Sequence, residues 1–372
     1  MRVTVASNTA WSLVNFRGGV IRALVERGDE VIAVAPPDGQ SARLAEMGCR
    51  VVDLPMDNKG TNPLRDLGTV RRFRGLYRAL RPDVAMHFTI KPMIYGSLAA
   101  RLAGVPCINT ATGLGTAFIR ENWLTRVVEG LYRVSQRWPE RVFFQNPDDR
   151  ALFLERRLVA EDKTGLLPGS GVDLGRFEVT ELPEGDRPVF LLVARMLWDK
   201  GIGEFVEAAR QVRAHYPQAV FRLLGPVGVA NRTAIGRETL DAWVDEGTVE
   251  YAGETDDVRP FLREATCVVL PSYREGTPRT LLEAASMGRP IITTDAVGCR
   301  EVVDDGVSGY LCQVKEADDL ARQMIRFLEM SPEERAGMGL AGRAKIEREF
   351  DENIVIERYL GAVDALAGRR ES

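Results

Sequence analysis

Residues 168–188, "PGSGVDLGRFEVTELPEGDRP", divide the sequence into two halves. The stretch is rich in glycine and proline and has no sustained periodicity, which indicates a boundary between domains. A chain of 372 residues is also longer than one ordinary hydrophobic core supports. The sequence therefore predicts a first domain over 1–168, a linker over 169–187 and a second domain over 188–349. A helix over about 350–372 is expected to pack back on the first domain.

Short runs rich in valine and isoleucine alternate with helical stretches on both sides of this boundary. Such alternation is typical of α/β proteins with parallel sheets. The predicted strands lie near residues 2–6, 30–35, 50–54, 83–87, 105–109, 141–145 and 163–167, and near 189–194, 220–224, 249–252, 267–271, 290–294 and 309–312. Two such domains facing each other make a cleft, and ligands of parallel sheets bind outside the carboxyl ends of the strands.

Composition narrows the class of protein. Hydrophobic residues make up 45% and charged residues 27% of the chain, as in a globular protein. The five cysteines are scattered without a CxxC pair, which favours a reducing cytoplasm. With two histidines and no Asp-x-Asp triplet, no metal site is predicted. The N-terminus reads as a strand and no apolar run is long enough to span a membrane, so a cytoplasmic protein is expected.

Charge is unevenly distributed. Residues 1–180 carry 25 Lys+Arg against 19 Asp+Glu, or +6, and the remainder carries 24 against 34, or −10, which sum to the net −4. The basic half is expected to meet an anionic surface or substrate. Within it, residues 65–81 hold six arginines on a predicted helix. A solvated outer face is the favoured interpretation, and contact with anionic lipid is the alternative. The apolar stripe predicted to face the core consists of Leu67, Val70, Phe73, Tyr77 and Leu80, and a second possible lipid contact of Phe118, Ile119 and Trp123.

Two glutamates surround a predicted helix start in "SYREGTPRTLLEAASMG", residues 272–288. Thr277 is predicted to be the N-cap and Pro278 the first helical residue. The N–H groups of the next two residues then favour an anion by about 0.3–1 kcal/mol. Glu275 and Glu283 would accept hydrogen bonds from hydroxyl groups, so a ligand with phosphates and hydroxyls suits the stretch. A capped helix with two solvated acids is the alternative.

The segment after the first strand of the second half, "ARMLWDKGIGEFVEAA" (194–209), offers two cations. Arg195 and Lys200 lie five residues apart across a turn and are predicted to converge on one phosphate group. Each charge-assisted contact contributes about 1.5–3 kcal/mol. A surface salt bridge with Asp199 or Glu204 is the alternative.

The first half carries three further candidates. In "SNTAWSLVNFRGGVIRAL" (7–24), Gly18 and Gly19 are predicted to open a helix where backbone can approach a phosphate. The spacing is not G-x-G-x-x-G, so a nicotinamide-dinucleotide site is poorly supported. His87 at a strand end, Lys91 at the following helix and the 112–115 loop are expected to face the cleft. A structural role for His87 remains the alternative.

Together these motifs resemble the retaining glycosyltransferases of family four, which have the GT-B fold of two Rossmann-like domains facing across a cleft. The E-x7-E motif is formed by Glu275 and Glu283, and the phosphate clamp by Arg195 and Lys200. The strings "HFTIKPMIYGSLAARLAGVP", "NTATGLG" and "PMDNKGTNPLRDL" resemble, more specifically, bacterial enzymes that extend lipid-linked sugars. The linker differs from that of many relatives in reading "PGSGVD" without Asn before Gly-Val-Asp.

The resemblance implies a UDP-sugar donor, with an N-acetylhexosamine such as N-acetylgalactosamine as the transferred sugar. It implies a polyprenyl-diphosphate-linked sugar as acceptor, weak peripheral contact with the inner face of the plasma membrane, no metal cofactor and no nucleic-acid partner. Catalytic roles are implied for His87, Arg195, Lys200 and Glu275. Donor binding is implied for Gly18, Gly19, Asp257, Val258, Glu275, Gly276, Thr277, Pro278, Arg279, Thr280 and Glu283, and acceptor binding for Lys91, Thr112, Gly113, Leu114 and Gly115.

Two other functions stay open at this point. A UDP-N-acetylhexosamine 2-epimerase would use a similar two-domain fold but would need more acid/base side chains in the cleft than the sequence offers. A catalytically silent UDP-sugar-binding protein would keep Glu283, but the residues of its phosphate clamp could be replaced. Arg195 and Lys200 are both present, which argues against this alternative.

Overall fold

The computed structural model describes residues 1–56, 63–113, 123–229 and 231–371. The chain divides into two compact units. The first contains Met1–Ser170 together with Glu352–Ser372, and the second contains Gly171–Asp351.

The first unit is built on a parallel sheet of seven strands in the order β3-β2-β1-β4-β5-β6-β7. Its strands are β1 (Arg2–Ala6), β2 (Glu30–Ala35), β3 (Arg50–Asp53), β4 (Val84–Phe88), β5 (Cys107–Ala111), β6 (Arg141–Phe144) and β7 (Thr164–Leu166). Its helices are α1 (Ala10–Glu26), α2 (Ser41–Glu46), α3 (Pro63–Leu80), α4 (Ser97–Ala103), α5 (Trp123–Ser135), α6 (Pro147–Glu155) and α13 (Glu352–Glu371). The central strands are buried throughout, as expected of a sheet covered by helices on both faces.

The last helix of the chain, α13, completes the core of the first unit. Its buried side chains include Val355, Tyr359 and Val363. The Tyr359 ring packs edge-on against Phe143, with ring centroids 5.3 Å apart, and its hydroxyl lies 2.7 Å from Thr110 Oγ1. The C-terminal segment of the sequence is therefore part of the first hydrophobic core.

The second unit repeats the same plan with a parallel sheet of six strands in the order β10-β9-β8-β11-β12-β13. Its strands are β8 (Val189–Val193), β9 (Val220–Leu224), β10 (Glu250–Tyr251), β11 (Cys267–Leu270), β12 (Ile291–Thr294) and β13 (Gly309–Cys312). Its helices are α7 (Ile202–His215), α8 (Arg237–Asp245), α9 (Arg259–Glu264), α10 (Arg279–Ser286), α11 (Ala317–Leu328) and α12 (Pro332–Glu349). In each sheet the chain returns after its third strand to lie beside the first, so that β4 pairs with β1 and β11 pairs with β8, and this switch point places a crevice at the carboxyl ends of the strands.

The segment between the two sheets is held against the second unit. Val172 N donates to Phe350 O at 3.0 Å, and Phe177 is buried in the core. Arg289 is fully buried and donates to Glu181 O at 2.7 Å and to Thr180 Oγ1 at 2.9 Å. Burial lowers the pKa of Arg289 to about 10. Several of the residues assigned to a linker thus have ordered contacts with the second sheet and its helices.

All thirteen predicted strands coincide with strands among the described residues, most of them within one or two residues at either end, and the α/β prediction is confirmed. One core residue was predicted wrongly. Phe73 and Tyr77 on α3 are buried, but Leu67 is 51% exposed because the buried stripe of the helix passes through Asp66 and Thr69 instead. Arg71, Arg78 and Arg81 are exposed, as a solvated outer face requires.

No helix within the described ranges is long and apolar enough to cross a membrane.

Candidate active site

Loops that follow three strands of the second sheet, β8, β11 and β12, meet at its carboxyl edge. The loop after β8 contacts the loop after β11 so closely that a Cβ at Gly201 would lie 2.1 Å from Pro271 O, and Gly201 has a φ of 72°. A Cβ at Gly298, after β12, would lie 2.4 Å from Glu275 O. Only glycine fits both positions. Backbone packing therefore fixes the site from several strands at once.

Lys200 and Glu275 form an ion pair at this edge. Their side chains are only 18% and 15% exposed. Ser272 Oγ donates to the same carboxylate oxygen at 2.8 Å, and Glu275 N donates to Val297 O at 2.9 Å. The partner of Lys200 is therefore the first glutamate of the E-x7-E motif, and neither Asp199 nor Glu204.

Glu283, the second glutamate of the motif, lies on α10 and accepts from Arg279 Nε at 2.8 Å. Its side chain is 15% exposed. Burial raises the pKa of Glu283, and the Arg279 guanidinium opposes that rise. The carboxylate is thus held in a place that disfavours its charge, which is common for a side chain awaiting a polar ligand.

The start of α10 differs from the prediction by one residue. Pro278 is the N-cap, with a ψ of 109°, and the helix begins at Arg279. Thr277 precedes the N-cap, and its hydroxyl donates to Gly276 O at 2.9 Å. Because proline lacks a backbone N–H, Pro278 can stand either just before the helix or at its first position. The first-turn N–H groups still belong to the residues between the two glutamates.

Arg195 and the predicted uracil contacts lie on neighbouring loops. Arg195 follows β8 and is exposed, and its side chain makes no ion pair or hydrogen bond among the described residues. No described contact joins it to Lys200. Asp257 binds Arg259 through both carboxylate oxygens, at 2.8 Å each, and this lowers the pKa of Asp257 to about 2. Val258 is the N-cap of α9.

Sequence reasoning missed two polar contributors to this edge. Ser272 is fully buried and bridges the loops, since its Oγ also lies 3.1 Å from Asp199 O. Tyr273 donates through its hydroxyl to Glu204 Oε1 at 2.6 Å, and the other oxygen of Glu204 is buried and has no hydrogen-bond partner in the part of the chain that the structure describes. The available signal was position alone, because both residues come directly after β11.

In the first unit, His87 lies inside the protein. It is fully buried in β4, with Nε2 2.7 Å from the Tyr77 hydroxyl and Nδ1 2.9 Å from Asn109 Oδ1. Burial lowers the pKa of His87 to about 4. A Cβ at Gly96 would lie 2.6 Å from Nε2. Both ring nitrogens are thus engaged by protein groups, and this geometry favours the structural alternative for His87.

The predicted acceptor residues follow β4 and β5. Lys91 Nζ donates to Asp66 Oδ1 at 2.8 Å, and the Tyr95 hydroxyl donates to the other oxygen at 2.7 Å. Tyr95 belongs to a π-helical turn, Pro92–Gly96, a geometry frequent at functional sites. Thr112 and Gly113 come after β5 and are partly exposed. Leu114 and Gly115 lie outside the described residues, as do Phe118 and Ile119.

The prediction that Gly18 and Gly19 open a helix is wrong. Helix α1 begins at Ala10, and Thr9 caps it by accepting from Ser12 N at 3.1 Å. The two glycines lie in the middle of the helix, where a Cβ at Gly19 would lie 2.6 Å from a carboxylate oxygen of Glu352 on α13. Their small size is used for packing between helices.

Within the described residues, no group of three or more His, Cys, Asp or Glu side chains is arranged to hold a metal ion. Metal independence remains a prediction.

Two family models match the chain. The model described as "Glycosyl transferase 4-like domain" matches residues 16–169, and the one described as "Glycosyl transferases group 1" matches residues 187–330. Each model covers the greater part of one sheet and its helices.

Individual proteins extend the comparison. The N,N'-diacetylbacillosaminyl-diphospho-undecaprenol alpha-1,3-N-acetylgalactosaminyltransferase of Campylobacter jejuni is 29% identical over 98% of this chain and 98% of its own length. The UDP-Gal:alpha-D-GlcNAc-diphosphoundecaprenol alpha-1,3-galactosyltransferase of Escherichia coli is 25% identical over 72% of this chain and 71% of its own length.

Solved structures share the fold. HepE of Anabaena, in complex with UDP and glucose, has a TM-score of 0.79 at 17% identity, covering 98% of this chain and 100% of that one. Sucrose-phosphate synthase of Thermosynechococcus elongatus has a TM-score of 0.81 at 18% identity, covering 99% and 100%. The matched domains, the two parallel sheets and these likenesses agree, and the chain belongs to the glycosyltransferases with the two Rossmann-like domains of the GT-B fold.

Proposed function

We propose that this glycosyltransferase moves a sugar from a UDP-sugar to a polyprenyl-diphosphate-linked sugar during assembly of a bacterial surface glycan or glycoprotein glycan. The observation that carries the proposal is the grouping of Lys200, Glu275 and Glu283 around the start of α10, at the carboxyl edge of the second sheet. The two relatives named above support the acceptor class, because both of their names specify an undecaprenyl-diphosphate-linked sugar.

The diphosphate is proposed to bind where positive charge is already in place. Lys200, Arg195 and the first-turn N–H groups of α10 would stabilise the negative charge that develops on departing UDP. Glu275 holds Lys200 in position before the donor arrives and is proposed to contact the donor sugar. Glu283 would accept hydrogen bonds from the ribose hydroxyls.

Retention of configuration is part of the proposal. The acceptor hydroxyl would attack the anomeric carbon from the face that the phosphate leaves, and its proton would pass to the leaving phosphate oxygen. Preset cations and amides lower the barrier without a metal ion, because they need no reorganisation as the charge develops. Exclusion of water from the site would limit hydrolysis of the donor.

N-acetylgalactosamine is proposed as the transferred sugar, with galactose as the nearest competitor. The Campylobacter relative is named for the first sugar and the Escherichia relative for the second, and both names specify an alpha-1,3 linkage.

The test is a transfer assay with UDP-N-acetylgalactosamine, UDP-N-acetylglucosamine and UDP-galactose against polyprenyl-diphosphate-linked sugars. We expect an α-linked product from an α-linked donor, formed equally well in EDTA. An epimer of the donor without acceptor would instead identify an epimerase, and UDP binding without either product would identify a silent binding protein. Loss of transfer in EDTA with rescue by Mg²⁺ would contradict the metal-free mechanism.

Weak peripheral membrane binding is proposed as well. Its support is the excess of positive charge in residues 1–180 and the exposed side chains of Arg71 and Arg78 on α3. Each arginine near an anionic surface contributes about 1 kcal/mol. Co-sedimentation with anionic vesicles should be lost at high salt, and an absence of salt-sensitive binding would reject this part.

A further inference from the structure

A strongly basic cavity lies in the first unit, between the C-terminal ends of α5 and α6 and the segment that leads into β7. Its volume is about 730 Å³. Five cationic side chains line it, those of Arg133, Arg137, Arg156, Arg157 and Lys163, and none of the described residues that line it is acidic.

This cavity is separate from the predicted acceptor site of the same unit. Helix α5 ends just before β6, and α6 ends just before β7. The cavity therefore lies at the amino ends of the strands, whereas Lys91 and Thr112 follow the carboxyl ends of β4 and β5. Nothing in the proposed transfer reaction uses this edge of the sheet.

Three of the five cations have partners within the protein. Lys163 Nζ donates to Arg137 O at 2.8 Å and to Pro139 O at 3.0 Å. Arg133 Nη2 donates to Arg156 O at 3.2 Å, and Arg156 pairs with Glu129. These contacts satisfy helix-terminal carbonyls and one carboxylate, so they explain why a cation occurs at each of these three positions.

The other two cations have no such explanation. The side chains of Arg137 and Arg157 are exposed and make no hydrogen bond or ion pair among the described residues. Among the described residues, the cavity thus holds two guanidinium groups without counterions beside three further cations, of which Arg156 is paired with Glu129.

The backbone of Arg157 provides an independent observation. Arg157 N donates to Leu154 O at 3.0 Å and Leu158 N donates to Phe153 O at 2.8 Å, which is the Schellman motif that ends α6. The residue in this left-handed position is usually glycine, yet Arg157 occupies it with a φ of 52°. A non-glycine residue in this conformation costs about 1–2 kcal/mol, and Arg81 at the end of α3 shares the conformation with a φ of 49°.

We propose that this cavity binds a phosphate-bearing anion, held by bidentate contacts from Arg137 and Arg157. Guanidinium groups suit phosphate because their planar N–H pairs match two phosphate oxygens. The anion is either a soluble diphosphate or a phospholipid headgroup. Val134 and Trp138, which neighbour the cavity along the chain, are 48% and 39% exposed and would allow contact with a bilayer.

The decisive variant is Arg157→Gly, because it removes the cation and relieves the backbone at once. Its matched control is Arg81→Gly, which removes an exposed arginine with a φ of 49° at the end of α3. Both variants should fold and melt about 2–4 °C higher than the wild type, because both relieve a left-handed residue. Loss of binding by Arg157→Gly then cannot be attributed to misfolding.

Pyrophosphate binding is measured by titration calorimetry with UDP present, so that a diphosphate site in the second unit is already occupied. Binding to anionic phosphatidylglycerol vesicles and to neutral phosphatidylcholine vesicles is measured in parallel. We expect affinity about tenfold or more weaker for Arg157→Gly than for Arg81→Gly in one of these assays. A loss with pyrophosphate identifies a soluble ligand, and a loss with phosphatidylglycerol alone identifies a headgroup.

The proposal is overturned if Arg157→Gly binds both pyrophosphate and phosphatidylglycerol vesicles as tightly as Arg81→Gly does. Because the comparison concerns only the first unit, it can fail while transfer from a UDP-sugar succeeds, and the reverse is equally possible.

Discussion

At the scale of single residues, Lys200 and Glu275 show how one ion pair can hold a site ready. The pair is largely shielded from solvent, and Ser272 adds a hydrogen bond to the carboxylate. Arg195, the other predicted cation, is exposed and has no described contact. The two cations should therefore respond differently to removal.

Lys200→Ala should lower the rate of sugar transfer by about 10²–10³, as the loss of one oxyanion donor does. It should also lower the melting temperature, because Glu275 is left without its cation. Arg195→Ala should lower the rate without changing the melting temperature. Measuring both quantities for both variants checks this, and near-wild-type transfer by Lys200→Ala would be incompatible with the proposed clamp.

The carboxylate of Glu283 is expected to lower the stability of the folded protein and to strengthen the binding of UDP. Because burial raises its pKa, the ionised carboxylate is less favourable in the folded than in the unfolded chain, and stability is lost as pH rises through the folded pKa. Glu283→Gln should therefore melt no lower than the wild type at pH 7 and bind UDP about tenfold or more weakly. A drop in melting temperature with unchanged UDP affinity would assign Glu283 to a structural pair with Arg279.

His87 should make folding pH-dependent. Burial lowers its pKa to about 4 in the folded protein, against about 6.5 for an exposed histidine, so the unfolded chain binds the proton first as pH falls. Stability from this residue is present above pH 6.5 and is lost between pH 6.5 and 4, by up to about 3 kcal/mol.

The check is urea unfolding across that pH range for His87→Gln, with His215→Gln as the control because His215 is exposed. The slope of unfolding free energy against pH should flatten only in His87→Gln. An unchanged slope would mean that the imidazole is not held neutral by burial.

At the scale of elements, strands were predictable and helix starts were not. Runs such as Val189–Val193 carry their own signal in apolar β-branched residues. The starts of α1 and α10 depend on which nearby residue accepts or donates a hydrogen bond, and both were misplaced, by eight residues and by one. At α1 the signal was present in the sequence, since Thr9 caps the helix by accepting from Ser12 N.

A substitution at Gly201 tests whether the close contact between the loops after β8 and β11 is needed for stability. Gly201→Ala should be strongly destabilising, by several kcal/mol, because its Cβ would meet Pro271 O and its φ is positive. Gly236→Ala is the control, with a φ of −69° and open space around its Cβ. Thermal unfolding of both variants decides the matter, and equal stability would mean that the loops after β8 and β11 can separate at little cost.

At the scale of the whole molecule, the two halves of the sequence, each with its own parallel sheet, carry opposite net charge. Residues 1–180 carry +6 and the remainder −10. Arg195 and Lys200 therefore present positive charge on the acidic half of the chain, where a diphosphate is proposed to bind, while the basic half is proposed to meet the lipid-linked acceptor.

The sequence was sufficient for this architecture because strand patterns and the Gly/Pro-rich stretch are local signals. It was insufficient for the burial of His87, the Ser272 bridge and the basic cavity at α5 and α6. Those features arise when residues distant in the sequence meet, as Tyr77, His87 and Asn109 do.

The most direct test of the account is a crystal structure of the protein with UDP. We predict the diphosphate in contact with Arg195, Lys200 and the N–H groups at the start of α10, and the ribose hydroxyls donating to Glu283. A diphosphate bound away from residues 195, 200 and 277–280 would contradict the proposed chemistry.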